Sequence, residues 1–217
     1  MSDKIKTAVV TGRHGFDVVG FTEMFRALPT VDPYIQHMEH FCADPGRDAY
    51  DVILFYHMIT EGPTDAQRQG LEGILDNGQG LFILHHAILG WPEWAEYSEL
   101  VGIGDRSFDT DMGQNLPVDV ATPDHPITRD LPSTWQIEDE TYSMAVAAGS
   151  DGNEVLLTTE HEASMDTATR AFACVLLSVR PRQPRFCQRT DADGRAAGYR
   201  MVCGSDIVAK RPHSHAQ

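Results

Sequence analysis

Histidine side chains follow several short apolar runs of this sequence, at the points where each run ends. Histidine exchanges protons near neutral pH and binds divalent metals through a neutral ring nitrogen, and a neighbouring carboxylate can orient it. These positions therefore predict either acid–base chemistry or a metal site. The runs TAVVT, DVILFY, LFIL and EVLLTT are followed, directly or within a few residues, by His14, by His57, by His85 with His86, and by Glu160 with His161.

The adjacent pair His85 and His86 is the centre of this prediction, and both are candidate catalytic acid–base groups. Neighbouring residues that leave a strand face opposite sides, so we expect only one of them to reach the ligand. We assign that role to His86, and we expect a carboxylate or a backbone carbonyl to hold His85 behind it. Glu140, in the acidic segment QIEDETY, is the candidate carboxylate that orients one of the histidines.

Three further side chains are candidate substrate contacts. Trp91 lies closest to the end of the LFIL run and could stack on the apolar face of a sugar ring, as could the neighbouring Trp94 and Tyr97. The alternative for these aromatic residues is packing of a helix against a sheet. The other two candidates are Tyr142, in the acidic segment, and Asp17, in the loop after the first apolar run.

His14 and His161 are candidate metal ligands, with proton transfer as their alternative role. The spacing matches neither an HExxH motif nor paired CxxC motifs, so this assignment depends on clustering alone. His57 fits a packed core as well as a functional site, and His125 before Pro126 is typical of a turn. A divalent metal ion is therefore the one cofactor that the sequence suggests, with cofactor-free chemistry as the alternative.

The elements that must position these residues alternate between strand and helix. Such alternation is typical of βαβ units and predicts an α/β protein with a mostly parallel sheet. Ligands bind such sheets beyond the carboxyl ends of the strands, where the histidines fall. Strands are expected at residues 7–11, 51–56 and 81–84, at 154–159, and, less buried and nearer an edge, at 34–38.

Helices are expected between these strands. Apolar residues recur at helical spacing from Phe21 to Leu28. Thr64 with Gln67 has the spacing of a capping box, and Asn77-Gly78 is a typical left-handed stop. A further helix is expected over residues 91–101. Residues 105–117 lose the pattern and, with the segment up to the QIEDETY run, predict a long insertion that acts as a lid or binding loop.

Composition limits the class of protein. With 217 residues, 41% hydrophobic, one domain over residues 1–217 is expected. The net charge of -15 argues against nucleic-acid and membrane partners, and no apolar run has the length of a membrane span. The four cysteines form no CxxC pair, which favours the cytoplasm. Residues 167–217 differ from the rest, because they hold 9 basic and only 3 acidic side chains.

The run GLFILHHAILGWPEWAEYSELVG at residues 80–102 resembles the signature region of ThuA-like (trehalose utilisation) proteins. The segments VVTGRHGFD, DVILFYHM, DHPITRDLP, EDETY and LLTTEHEASM fall in the order that this family shows, so the resemblance covers roughly residues 5–166. The family is similar in fold to class I glutamine amidotransferases. The resemblance therefore implies a flavodoxin-like sheet with helices on both faces, and a role in carbohydrate utilisation.

Two departures bear on the chemistry that the resemblance implies. Amidotransferases place a cysteine nucleophile at a tight turn after a central strand, whereas this sequence has His85-His86-Ala87 there. Amide hydrolysis by a thiolate is therefore not expected, since a nucleophile must lie beside its base. Family members also carry Gly-His-Asp after the last strand, and of this motif only Asp191 is present, so residues 167–217 are a divergent carboxyl-terminal segment.

Three functions stay open on the sequence alone. The first is an enzyme that acts on a sugar or oxidised sugar through the strand-end histidines. The second is a metal-dependent hydrolase of an ester or lactone, in which a divalent ion activates water. The third is a non-catalytic sugar-binding or regulatory module. Each has a small, carbohydrate-like molecule as its partner, and a homo-oligomer is compatible with all three.

Overall fold

The computed structural model describes residues 4–144, 155–159 and 176–177. Two sheets and four α-helices form the described part of the chain. In chain order the elements are β1 (Ile5–Gly12), α1 (Val18–Arg26), β2 (Val31–His37), α2 (Met38–Ala43), a 3-10 helix at Arg47–Ala49, β3 (Val52–His57), α3 (Asp65–Asn77), β4 (Gly80–Ile83), a 3-10 helix at His85–Leu89, α4 (Ala95–Val101), β5 (Phe108–Val120), β6 (Thr134–Met144), β7 (Leu157–Thr159) and β8 (Leu176–Leu177).

The main sheet has the strand order β2-β1-β3-β4-β8. The first four strands are parallel, and β8 runs antiparallel to β4. This confirms the expected α/β architecture with a mostly parallel sheet. Strand β2 lies at the edge and is less buried than β1 or β3, as its mixed polar and apolar sequence predicts.

Helices pack on both faces of the main sheet. Because side chains alternate along a strand, Val9 and Leu54 face one side, where Phe25 of α1 packs on them. Val10 and Ile53 face the other side, which is covered by α2, α3 and α4. The two-sided burial explains why β1 and β3 are nearly continuous apolar runs.

Helix α3 begins and ends as its sequence predicts. The Thr64 side chain accepts a hydrogen bond from the Gln67 backbone, and the Gln67 side chain accepts one from the Thr64 backbone. The helix ends at Gly78, which has a φ of 67°, a conformation that glycine adopts without steric cost. No helix among the described residues is long and apolar enough to cross a bilayer.

The segment after α4 differs from the expected loop. Most of the expected loop at residues 105–117 belongs to β5, which pairs antiparallel with β6. The pairing is interrupted by a bulge between Asp111 and Gln114. The strand expected at 154–159 is shorter and pairs with β5, not with the parallel sheet. Its carboxyl end therefore does not align with those of β1, β3 and β4. The first half of β5 is exposed on both sides, so it needs no apolar alternation, and the sequence there does not predict a strand.

The helix expected over residues 91–101 begins later, at Ala95. Residues 85–89 instead form a 3-10 helix, and Trp91 has a left-handed backbone with a φ of 45°. The Trp91 amide donates to the Ile59 carbonyl at 2.6 Å. This contact draws the segment back towards the loop after β3, so the chain cannot enter a helix at Trp91.

Candidate functional site

The turn after β4 holds His85 in an unusual backbone conformation. His85 has a φ of 51°, a left-handed value that costs a residue other than glycine roughly 1 to 3 kcal/mol and often marks a functional site. The turn is fixed on both sides, because the Leu84 amide donates to the Phe55 carbonyl at 2.9 Å and the Tyr97 hydroxyl donates to the Ala87 carbonyl at 2.9 Å. These two hydrogen bonds hold the backbone of the turn that carries His85.

The structure places His85 in contact with the carboxylate of Glu140. Its Nε2 atom lies 3.0 Å from Oε1 of Glu140. The Tyr142 hydroxyl donates to the same Oε1 atom and lies 3.4 Å from the His85 Nε2. Glu140 and Tyr142 are two residues apart on β6, so their side chains share one face of the strand. The β5–β6 hairpin thus brings both groups onto the His85 ring.

Tyr142 is a hydrogen-bond donor in this arrangement. Burial, the hydrogen bond to Glu140 and the negative charge of that carboxylate, with a smaller effect of Asp139, all raise the pKa of the Tyr142 hydroxyl above its ordinary value. The phenol is therefore protonated at neutral pH and can hold the Glu140 carboxylate. The side chains of His85 and Glu140 keep 26% and 17% of their surface exposed, so solvent reaches the pair.

His86 lies behind this pair and not in front of it. It is 0% exposed, and its ring packs on those of His14 at 4.0 Å, Tyr56 at 4.5 Å and His85 at 5.2 Å between centroids. Neither ring nitrogen has a hydrogen-bond partner in the described structure. Burial, followed by the neighbouring His14 and His85, lowers the pKa of His86 to about 3, so the ring is neutral at pH 7.

The predicted arrangement of the two histidines is thus corrected in one respect. His85 has the expected carboxylate partner, but it is also the more exposed of the pair, and His86 is the buried one. The reason is the left-handed backbone at His85, which redirects its side chain relative to a strand that simply continues. The catalytic roles of both residues stay predictions.

Trp91 and His57 lie in the core. Trp91 is 1% exposed and its ring packs on those of Phe55, His57 and Tyr97, so it presents no open face to a sugar in this structure. His57 is 0% exposed, its Nδ1 accepts a hydrogen bond from the Ile59 amide at 3.4 Å, and burial lowers its pKa to about 3. Both placements agree with the packing alternative.

Of the remaining predicted residues that the structure describes, only His14 lies near the contact between His85 and Glu140. His14 is exposed after β1 and contacts the site through His86. Asp17 caps α1, where its Oδ1 accepts hydrogen bonds from Val19 and Gly20 amides at 3.1 Å each. His125 accepts a hydrogen bond from Ile127 within a turn. Several predicted positions lie outside the described residues: Glu160, His161, Cys174, Cys187, Asp191 and Cys203. Of the segment 167–217, the structure describes only residues 176–177, which form β8.

The described residues contain no group of three or more histidine, cysteine, aspartate or glutamate side chains placed to hold a metal ion. Cys42 is the one cysteine whose side chain is described. Burial raises the pKa of its thiol to about 11, and its sulfur lies 3.7 Å from that of Met38. It is thus no candidate nucleophile, because the thiolate is the reactive form.

Two residues near the site were not identified from the sequence. Tyr56 packs on His86 and stacks on Phe21 at 4.8 Å, and burial, with Asp139 and Glu140, raises the pKa of its hydroxyl. Its place just before His57 at the end of a buried strand was the available signal. Arg106 is buried below the turn, and nothing in its local sequence distinguishes it from a surface arginine.

Comparison with known proteins agrees with this architecture. The chain superposes on a ThuA-like protein from Parabacteroides merdae with a TM-score of 0.61 and 15% identity, over 94% of this chain and 79% of that one. A ThuA-like protein from Bacteroides uniformis gives a TM-score of 0.56 and 22% identity, over 74% and 70% of the two chains. At these identities the likeness shows the fold alone.

Sequence comparison goes further. A search of curated proteins finds no significant match. The sequence model of the ThuA family, described as trehalose utilisation, matches residues 36–185, which include the turn after β4 and the whole β5–β6 hairpin. Since that match spans more than half of the chain, the protein belongs to the ThuA family.

Proposed function

We propose that this protein is an enzyme that acts on a sugar or an oxidised sugar, with His85 as its general acid–base group and Glu140 as the residue that orients it. The observation that carries the proposal is the 3.0 Å contact between the His85 Nε2 and the Glu140 Oε1, at a solvent-accessible turn with a left-handed backbone. The sugar is suggested by the description of the family as trehalose utilisation.

In this proposal Glu140 orients the His85 ring and the imidazole exchanges the proton with the substrate. A carboxylate accepts hydrogen bonds, so the Nε2 atom that faces Glu140 is the protonated one. The imidazole then takes a proton from the substrate or returns one to it, while Glu140 fixes the orientation of the ring. Positioned acid–base groups of this kind contribute about 10²- to 10⁴-fold to a rate.

Tyr142 and Tyr56 have supporting tasks in this proposal. Tyr142 donates to Glu140 and restrains the carboxylate from rotating away from His85. Tyr56 is only partly buried and its ring packs on that of His86, so it is an aromatic side chain beside the site on which the apolar face of a sugar could stack. We propose the cytoplasm as the compartment of this reaction, since the four cysteines of the sequence form no CxxC pair.

The test is a turnover screen with purified protein on free sugars, keto sugars and sugar lactones, followed by NMR spectroscopy of the products. The wild type is expected to convert at least one of them. His85→Gln, which cannot exchange a proton near neutral pH, should lower kcat by about 100-fold or more, and Glu140→Gln by a smaller factor. His40→Ala is the control, because His40 is exposed on α2.

Full activity of a folded His85→Gln variant would contradict the acid–base assignment. Binding of a sugar by the wild type, seen as thermal stabilisation without any product, would instead identify a non-catalytic binding or regulatory module. Both outcomes are measured on the same preparation. The His40→Ala control separates loss of the His85 proton from a general effect of removing an imidazole.

A second candidate is metal-dependent hydrolysis of an ester or lactone. It is favoured by the 4.0 Å approach of the His14 ring to the His86 ring, whose two buried nitrogens have no described partner. Neutral imidazoles suit zinc and related divalent ions. Metal content after purification decides between the candidates: a stoichiometric ion lost in His86→Ala supports hydrolysis, and activity that survives chelation supports the cofactor-free enzyme.

A further inference from the structure

Arg106 is an arginine buried beneath the turn that carries His85. It is 3% exposed and lies between α4 and β5. One terminal nitrogen donates to the Gly90 carbonyl at 2.8 Å and to the Ile88 carbonyl at 3.3 Å, and the other donates to the Trp91 carbonyl at 2.5 Å. Its guanidinium carbon lies 5.0 Å from the centroid of the Tyr97 ring. The side chain is therefore held on several sides.

This burial calls for an explanation, because an isolated charge is costly to remove from water. Within the described residues no carboxylate forms an ion pair with Arg106, and burial lowers the pKa of its guanidinium, with Tyr97 and the carboxylate of Glu93 acting in the opposite direction. The two terminal nitrogens of the guanidinium donate to three backbone carbonyls and its plane lies against the Tyr97 ring, whereas its buried Nε has no hydrogen-bond partner in the described structure. Arginine is suited to this task, since its planar fork keeps its charge and directs its donors in fixed directions.

The three carbonyls belong to the irregular part of the turn. Residues 88–91 comprise the last two residues of the 3-10 helix and the two that follow it, and they end at Trp91, whose backbone is left-handed like that of His85 at the start of the turn. Carbonyls at the end of such a helix have no partners from regular structure. Arg106 supplies these partners, so the turn that begins at His85 is closed by one side chain from outside it.

Arg106 is also next to the hairpin that carries Glu140. Strand β5 begins at Phe108, and its first residues pair with the end of β6: Phe108 opposite Met144, and Thr110 opposite Tyr142. Only Ser107 lies between Arg106 and the first paired residue of β5. The guanidinium therefore links the turn after β4 to the strand pair whose register decides where Glu140 and Tyr142 lie.

We infer that Arg106 is a positioning residue: it locks the turn at residues 85–91 against the start of β5, so that the His85 Nε2 and the Glu140 carboxylate meet. Its importance for catalysis depends on the function proposed above, but the contact that it sets is a property of the folded protein and can be measured without a substrate. Arg106 acts through His85 and Glu140, and it is not itself a catalytic residue.

Replacement by lysine is the sharpest variant. An ammonium group keeps the charge but is a single point, so it cannot satisfy the carbonyls of Ile88, Gly90 and Trp91 in the planar arrangement of a guanidinium. Arg106→Met removes the donors altogether and risks unfolding the turn. The lysine variant thus tests geometry with the charge retained.

The readout is the ring-nitrogen spectrum of His85 in the ¹⁵N-labelled protein, with its Nε2 resonance assigned by its loss in His85→Gln. Glu140→Gln defines the resonance position when the carboxylate is absent. In Arg106→Lys we expect the His85 Nε2 resonance to move from the wild-type position towards that of Glu140→Gln. A purely structural role would lower stability and leave this resonance where it is.

Two controls match the variant. Val9→Ala removes buried methyl groups from the face of the sheet that α1 covers, opposite to the cluster that contains residues 87–89 and Trp91, and should destabilise the protein without moving the His85 resonance. Arg129→Lys makes the same chemical change at an exposed arginine and should change neither. An unchanged His85 resonance in folded Arg106→Lys overturns the inference, as does an equal movement in Val9→Ala.

The result is separable from the proposed function. If no sugar is converted but the resonance moves as expected, the proposed enzyme fails and the positioning role of Arg106 stands. If turnover depends on His85 while the resonance is unchanged in Arg106→Lys, the proposed function stands and the positioning role fails.

Discussion

Two parts of the molecule meet at His85, and they are built differently. The turn after β4 lies on a parallel sheet whose central strands β1 and β3 are almost completely buried between two layers of helices. The β5–β6 hairpin, which carries Glu140, is exposed along the first half of β5 and has a small core of its own around Leu116 and Ile137.

The difference separates the two halves of the proposed acid–base pair. The histidine is held by the buried sheet, whereas its carboxylate partner comes from a peripheral hairpin with fewer buried residues. Regions with few buried apolar contacts open at lower free-energy cost than core strands. The contact between His85 and Glu140 therefore depends on the less stable of the two regions, and the predictions below test that dependence.

The largest expected effect is on the buried sheet. Ile53→Ala removes a side chain that is 0% exposed at the centre of β3 and should lower the free energy of unfolding by roughly 2 to 5 kcal/mol.

Leu116→Ala in the hairpin core should instead reduce hydrogen-exchange protection mainly in β5 and β6, and leave β1 amides protected. Equal loss of protection in β1 and β5 of Leu116→Ala would show that the two cores form one cooperative unit.

The second prediction concerns acid. The pKa of His57 is about 3 in the folded protein because the ring is buried, well below its ordinary value of 6.5. The unfolded chain thus binds a proton between these values and the folded chain does not, so stability is complete above pH 6.5 and is lost as the pH falls towards 3. At pH 5 this loss amounts to about 2 kcal/mol for His57 alone.

His57→Asn, which does not titrate, should therefore lose about 2 kcal/mol less between pH 7 and pH 5 than the wild type, measured by denaturant unfolding at each pH. The asparagine keeps an acceptor for the Ile59 amide. His40→Ala, at an exposed position, is the control and should follow the wild-type curve. Parallel curves for the wild type and His57→Asn would mean that His57 is not kept neutral by the sheet.

How much could be predicted from the sequence differs between the same two regions. Periodicity was sufficient for the parallel strands, and the capping-box spacing of Thr64 and Gln67 was sufficient for the start of α3, because each is a local pattern with one structural meaning. The β5–β6 hairpin was not recognised, since its exposed half carries no apolar alternation. The Glu140 contact was predicted in kind, as a carboxylate that orients one of the histidines.

The residues that the sequence did not reveal depend on contacts between distant segments. His85 has a left-handed φ in a turn flanked by hydrogen bonds of Leu84 and Tyr97, and it is the more exposed of the two histidines, contrary to the prediction. Arg106 is buried only because three carbonyls of a turn 15 to 18 residues away converge on it. The spacing of residues along the sequence does not predict such contacts between distant segments.

The third prediction tests how tightly the sheet side of the site is packed. A Cβ atom added at Gly90 would lie 2.6 Å from Cε1 of His57 and 3.2 Å from the Ala87 carbonyl oxygen. Gly90→Ala should therefore destabilise the protein by about 1 to 3 kcal/mol, through overlap in a buried turn. Gly15→Ala is the matched control, because a Cβ there would meet nothing within 4 Å. Equal stability of the two variants would show that the turn has room to rearrange.

The smallest expected effect separates two roles of Asp17, which lies in the exposed loop after β1. Its carboxylate caps α1 by accepting hydrogen bonds from Val19 and Gly20, although the sequence also made it a candidate substrate contact. Asp17→Ala should lower the free energy of unfolding by about 1 kcal/mol, whereas Asp17→Asn, which keeps a capping oxygen, should cost only a few tenths. Unfolding in denaturant measures this difference.

Sugar affinity is the second readout, because a capping role predicts equal affinity for wild type and Asp17→Asn. Weaker sugar binding by the stable Asp17→Asn variant would show that the charge itself contacts the substrate, and the proposed binding surface would then extend from the turn after β4 to the loop after β1.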